Sequence, residues 1–170
     1  MISLREKAEE LGIALTDRQL AQFEIYYELL TEKNKVMNLT AITEREDVIL
    51  KHFVDSLALV KAECGFSSQK ILDVGTGAGF PGIPLKIAFP HIHVVLLDSL
   101  QKRVKFLDTV IDELGLETIH TLHGRAVEYG KIVEYRECFD LCVSRAVANM
   151  STLSEYCLPY VKVGGMFIPY

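Results

Sequence analysis

The chain has no Cys-x-x-Cys pair, no histidine cluster and no long apolar run, and no Gly-Lys-Ser/Thr follows its glycine-rich turn. Each gap removes a class of function. The four cysteines, Cys64, Cys138, Cys142 and Cys157, stand in apolar or mixed segments, which reads as reduced thiols rather than disulfides or zinc ligands. His91 and His93 flank one strand pattern and His120 and His123 straddle another, so no metal is expected. No stretch approaches the ~20 apolar residues of a membrane span. Met1 to Lys7 mixes charges early and lacks a signal-peptide core, so a cytoplasmic protein is expected. The missing Gly-Lys-Ser/Thr excludes a P-loop.

What is present reads as one ordinary globular domain. There are 170 residues, 49% of them hydrophobic and 24% charged, with no repeat or low-complexity tract. A net charge of −5 discourages a general affinity for nucleic acid. It says nothing against a local basic patch. Lys102, Arg103 and Arg125 are the candidates for RNA contacts, with Lys33, Lys35, Lys51, Lys105 and Arg145 as further cations.

Residues 1–69 read as a helical extension and residues 70–170 as an α/β core. Thr16 followed by Gln19 is a capping-box pattern, and Leu20, Phe23, Tyr27 and Leu30 then mark one helical face. That helix closes around Asn34 to Asn38. A second amphipathic helix is expected from Glu46 to Lys61, with Val48, Phe53, Leu57 and Val60 as its stripe. Strands at 70–74, 93–98, 118–122, 139–143 and 164–169 then alternate with helices at 81–89, 101–114, 126–134 and 149–160. Such alternation means βαβ units and a mostly parallel, doubly wound sheet. Ligands of these sheets bind outside the carboxyl ends of the strands, at the switch point.

The most informative segment is Ile71 to Gly82, ILDVGTGAGFPG: a short apolar strand, glycines at Gly75, Gly77 and Gly79, and a helical run from Pro81. A dinucleotide is the first candidate for such a turn. The glycine spacing departs from G-x-G-x-x-G, with Phe80 in the third glycine's place. Asp73 would also repel a pyrophosphate, whereas it would suit a cationic ligand such as S-adenosylmethionine. Asp98 ends the next strand 19 positions after Gly79, where an acid can accept from both hydroxyls of a ribose. Asp98 or Ser99 could instead simply cap the helix that begins at Gln101.

Taken together, Asn38-Leu39-Thr40-Ala41-Ile42, Lys51-His52-Phe53-Val54-Asp55-Ser56-Leu57, the glycine turn with Phe80-Pro81-Gly82, Leu97 to Arg103, and Ser144-Arg145-Ala146 resemble the ribosomal RNA small-subunit methyltransferase G family, also called glucose-inhibited division protein B. The resemblance covers almost the whole chain. It implies a class I S-adenosylmethionine-dependent methyltransferase fold, Rossmann-like, with N-terminal helices. The implied activity is methylation of guanine N7 in 16S ribosomal RNA, so the implied partner is that RNA or the small ribosomal subunit, with no membrane. Carried over by position, cofactor contacts fall on Gly75, Phe80, Ala126, Val127 and Arg145. The family often carries an acid at the place of Val127, so a backbone contact is implied there. The class has two further strands, so a C-terminal part is expected beyond Tyr170.

Guanine N7 has a free lone pair and no proton, so its methylation needs no general base, in keeping with the lack of an obvious catalytic dyad. His52, Asp55 and Arg145 are the candidates for catalytic work; His52 and Asp55 are expected on one helical face over the strand ends, or else paired only to fix that helix. Two other readings remain at this level. One is a cofactor-binding module without catalysis. The other is a methyltransferase with a different acceptor, though no Asp/Asn-Pro-Pro-aromatic signature for an amino group follows the fourth strand.

Overall fold

The computed structural model describes residues 1–62, 66–145 and 149–169. Helix α1 (Leu4–Glu10) starts at Ser3, whose Oγ accepts from the Glu6 amide. Helix α2 (Asp17–Met37) starts at the expected capping box: Thr16 Oγ1 accepts from Gln19 N at 3.2 Å, and Thr16 N donates to Gln19 Oε1 at 2.8 Å. It closes at Asn38, which takes the left-handed conformation. The Gln19 amide also donates to the carbonyls of Ile87 and Ala88, and Gln22 donates to that of Leu114. Helix α2 is thereby tied to the core at two places. Its buried face carries Phe23, Tyr26 and Leu30. Tyr26, not Tyr27, is the buried tyrosine; Tyr27 lies on the flank with the Arg45 guanidinium 5.1 Å above its ring.

The helix expected from Glu46 to Lys61 is continuous but not uniform. It comprises α3 (Arg45–Val48), a π turn at Ile49–Val54, α4 (Asp55–Leu57) and a 3₁₀ turn at Ala58–Lys61. Val48, Phe53 and Leu57 are buried, as the apolar stripe requires, while Val60 is only half-buried. The π turn widens the helix at the stretch that carries His52, just before Asp55. His52 turns inward and is buried; Asp55 stays exposed.

Beyond it run β1 (Lys70–Val74), α5 (Gly82–Ala88), β2 (His93–Asp98), α6 (Gln101–Leu114), β3 (Ile119–His123), α7 (Ala126–Tyr129), β4 (Phe139–Ser144), α8 (Met150–Cys157) and, after a 3₁₀ turn, β5 (Val161–Pro169). Helix α7 is a single turn, shorter than expected. The strand β5 starts three residues early because its pairing with β4 slips between Phe139 and Leu141, where Gly164 takes φ +84° and the chain bulges.

The five strands form one sheet in the order β3-β2-β1-β4-β5, every neighbouring pair parallel. Strand order reverses between β1 and β4, so the switch point lies at the carboxyl ends of these two strands. Side chains alternate between two apolar layers. Ile71, Val94, Leu96, Leu141 and Val143 join Phe23, Tyr26, Phe53 and Leu107 on one face. Leu72, Val95, Leu97 and Cys142 join Cys157 and Tyr160 on the other. Cys138, Cys142 and Cys157 are free thiols, the last two buried, while Cys64 lies outside the described residues. Among the described residues no helix is long and apolar enough to cross a membrane.

At Gly79 a glycine is required by packing. Its φ is +106°, and an added Cβ would stand 2.6 Å from Ile83 Cδ1 and 2.8 Å from Tyr26 Oη. Gly79→Ala is expected to cost about 1–3 kcal/mol of stability; an unchanged denaturant midpoint would refute this packing account.

Candidate active site

The turn after β1 is built around Asp73. Its carboxylate is fully buried, and Oδ2 accepts from Thr76 Oγ1 at 2.7 Å and from Gly82 N at 2.9 Å. Tyr26 Oη donates to the Ala78 carbonyl at 2.6 Å, fastening the turn from the helical side. The amides of Gly75 and Thr76 both donate to the Leu97 carbonyl, which binds the turn to β2. The three glycines differ in purpose. An added Cβ at Gly77 would meet nothing within 4 Å, despite its φ of +61°, so this side of the turn is open to a ligand, whereas Gly79 faces the core.

Asp73 was expected to present an anionic wall to the ligand, and the structure corrects that picture. The side chain folds back into its own turn, and burial pushes its pKa up to about 7, partly countered by the hydrogen bonds from Thr76 and Gly82. Its second oxygen, Oδ1, is buried without a hydrogen-bond partner. Burial thus works against the charged form, and the carboxyl serves its own turn rather than the ligand side.

A cleft of about 190 Å³ opens at the switch point. Gly75, Asp98, Ala126 and Val127 line it, as does Arg125. Sequence reading missed the contribution of Ser144 and of Leu153 and Tyr156 from α8. A helix at 149–160 was expected, but which of its residues reach the cleft depends on how the helix lies on the sheet. Asp98 is nearly buried; Oδ2 accepts from Gly77 N at 2.8 Å and Oδ1 from Leu100 N at 2.9 Å. It bridges the two turns rather than capping α6 directly. Each oxygen keeps a lone pair, so acceptance from a ribose is still open. Arg103 Nη1 lies 3.8 Å from Asp98 Oδ2, while Lys102 and Arg125 are exposed.

Phe80, His52 and Arg145 form a separate stack beside the turn. The His52 ring lies 4.4 Å from that of Phe80 at an interplanar angle of 13°, and the Arg145 guanidinium stands 5.6 Å above Phe80. Arg145 Nη1 is 3.1 Å from His52 Nδ1, Nη2 donates to the Lys51 carbonyl at 2.9 Å, and Nη2 is 3.8 Å from Asp55 Oδ2. Arg145 is thus a shared neighbour of both helical candidates. Ala146 lies outside the described residues.

Burial first, and the nearby Arg145 charge second, lower the His52 pKa to about 4. An unfolded histidine titrates near 6.5. The stability tied to a neutral His52 is therefore complete above pH 6.5 and is lost as pH falls through about 4. In the folded protein the His52 ring signals are expected to stay unshifted from pH 8 down to about 5 in an NMR titration. A midpoint near 6.5 would contradict this environment.

The family model described as rRNA small subunit methyltransferase G matches residues 19–170. A protein of Lachnoclostridium phytofermentans named ribosomal RNA small subunit methyltransferase G is 59% identical over 160 residues, 94% of this chain and 66% of that protein. A Thermoanaerobacter protein of the same name is 54% identical over 165 residues, covering 97% and 69%. The chain thus spans about two thirds of the length of these curated relatives. Among solved structures, a putative S-adenosyl-L-methionine-dependent methyltransferase from Methanococcus maripaludis superimposes with a TM-score of 0.60 at 18% identity, covering 84% of this chain and 61% of that one. That likeness bears on the fold, which is the class I methyltransferase fold. With a family model spanning nearly the whole sequence and relatives above half identity, the chain belongs to the rRNA small subunit methyltransferase G family.

Proposed function

We propose that this chain forms the cofactor-binding part of an S-adenosylmethionine-dependent enzyme that methylates N7 of a guanine in the 16S RNA of the small ribosomal subunit. The observation that carries the reading is the cleft at the switch point, where Gly75, Asp98, Ala126 and Val127 converge in a chain of this family. The residues suit the cofactor. Asp98 has acceptor capacity for a ribose, the Gly77 side of the turn is open, and Leu97, Leu153 and Tyr156 give the cleft apolar wall. S-adenosylmethionine would supply a methyl group on a positively charged sulfur.

The chain's own work is then binding and orientation. Guanine N7 attacks without losing a proton, so alignment and exclusion of water contribute most of what the protein can add. Arg145, anchored through its contacts with His52 and the Lys51 carbonyl, is assigned to holding the cofactor or the target base. Asp73 shapes the turn from within, Gly79 and Phe80 support it from the core side, and Asp55 stands at the outer edge beside Arg145. Lys102, Arg103 and Arg125 are assigned to RNA phosphates, and the site of action is the cytoplasm.

Incubating the full-length protein with labelled S-adenosylmethionine and small subunits that lack the modification is expected to label 16S RNA at a guanine N7. Cofactor binding without incorporation would leave only a non-catalytic module. Asp98→Ala is expected to weaken S-adenosylmethionine binding by about 10- to 100-fold in calorimetry, the worth of hydrogen bonds to a charged acceptor; unchanged affinity would remove Asp98 from the ribose site. Replacing Lys102, Arg103 and Arg125 together by glutamine is expected to flatten the plot of log affinity for RNA against log salt by about two. An unaltered slope would place these cations away from the RNA.

A further inference from the structure

We infer that Thr40 is a positioning residue for Arg145, acting through His52. The guanidinium can only donate hydrogen bonds, so His52 Nδ1, 3.1 Å from Arg145 Nη1, must be the accepting nitrogen. A neutral imidazole with a bare Nδ1 carries its proton on Nε2. That nitrogen stands 2.8 Å from Thr40 Oγ1, which accepts from it. The hydroxyl oxygen is itself fixed, since the Ile42 amide donates to it at 3.0 Å. The Thr40 amide in turn donates to Asn34 Oδ1 at 2.9 Å, anchoring the loop to the last turns of α2.

The result is a chain of directed hydrogen bonds from the end of α2 to the end of β4. Stacking on Phe80 sets the plane of the imidazole, Arg145 fixes Nδ1 as the bare edge, and Thr40 holds the protonated Nε2 edge in place. With the opposite tautomer, an N–H of His52 would face an N–H of Arg145, a meeting of two donors that no rotation of the Thr40 hydroxyl relieves. Thr40 is not among the residues that line the cleft, and its link to Arg145 runs through the His52 ring. His52 is buried and held neutral, which keeps this arrangement constant through the physiological pH range.

The activity readout of the test rests on the methyltransferase reading; the spectroscopic readout does not. In the full-length protein, Thr40→Val preserves shape and removes the acceptor, whereas Thr40→Ser retains it. Thr40→Val is expected to lower kcat/KM for small-subunit methylation by about tenfold or more, as small misplacements of an aligned group do, and Thr40→Ser to stay within about twofold of the parent. In an Arg145→Ala background, Thr40→Val is expected to cause no further loss. Additive losses, or an unchanged Thr40→Val enzyme, overturn the inference, because a purely structural role adds independently. Nitrogen-15 spectra of His52 are expected to show Nε2 protonated and Nδ1 bare in the parent and in Thr40→Ser. The reverse tautomer overturns the inference, even if Thr40→Val fails to fold or the parent transfers no methyl group. A parent that shows the expected tautomer but labels no RNA overturns the activity and leaves the positioning geometry standing.

Discussion

The two hydrogen bonds accepted by Asp73 Oδ2 are the contact on which the rest of the structure depends. They close the loop between the end of β1 and the start of α5, and so fix where the glycine turn lies relative to the sheet. Tyr26 grips the same turn through the Ala78 carbonyl, so the helical extension is fastened to the element that shapes the cleft. Asp98 then ties that turn to the next one by accepting from Gly77 N and Leu100 N. One buried carboxyl at the end of β1 and another at the end of β2 thus hold two loops in register. Between them lies the cleft at the switch point.

Electrostatics in this region is governed by burial more than by pairing. Burial raises the Asp73 carboxyl toward neutrality and drives the His52 imidazole well below its ordinary range. Burial thus favours the uncharged form of both groups, one an acid and one a base. The permanent charge among them is Arg145, which lowers both values through space. A cation fixed beside a neutral, stacked imidazole is a rigid element, and it stands at the end of the strand that lines the cleft. Rigid placement of this kind suits a reaction whose barrier is mainly one of alignment.

Much of the architecture could be read from residue patterns. The alternation of apolar runs with helical stretches, the capping box at Thr16 and the glycine turn after Ile71–Val74 are local signals, and the structure has each in its expected place. Boundaries failed where a non-local contact intervened. The bulge near Gly164 lengthens β5, and the π turn at Ile49–Val54 interrupts the α-helical repeat at His52. A period of 3.6 residues carries no warning of an inserted residue in a turn. Tyr26 was passed over for Tyr27 because both fall near the edge of the same helical stripe. Only the packing of α2 on the turn decides which ring is covered.

Residue order alone determined the sheet's composition, the position of the glycine turn and the identity of the two strand-end acids. Those follow from spacings of a few residues. Only the folded molecule decided that Asp73 faces inward, that Asp98 bridges two loops, and that Thr40, His52 and Arg145 form one directed chain. His52 and Arg145 are 93 positions apart, and nothing in either neighbourhood encodes their meeting. Their partnership, and the protonation state it imposes, arises because β4 runs beside β1 in the sheet and the π turn lies over its end.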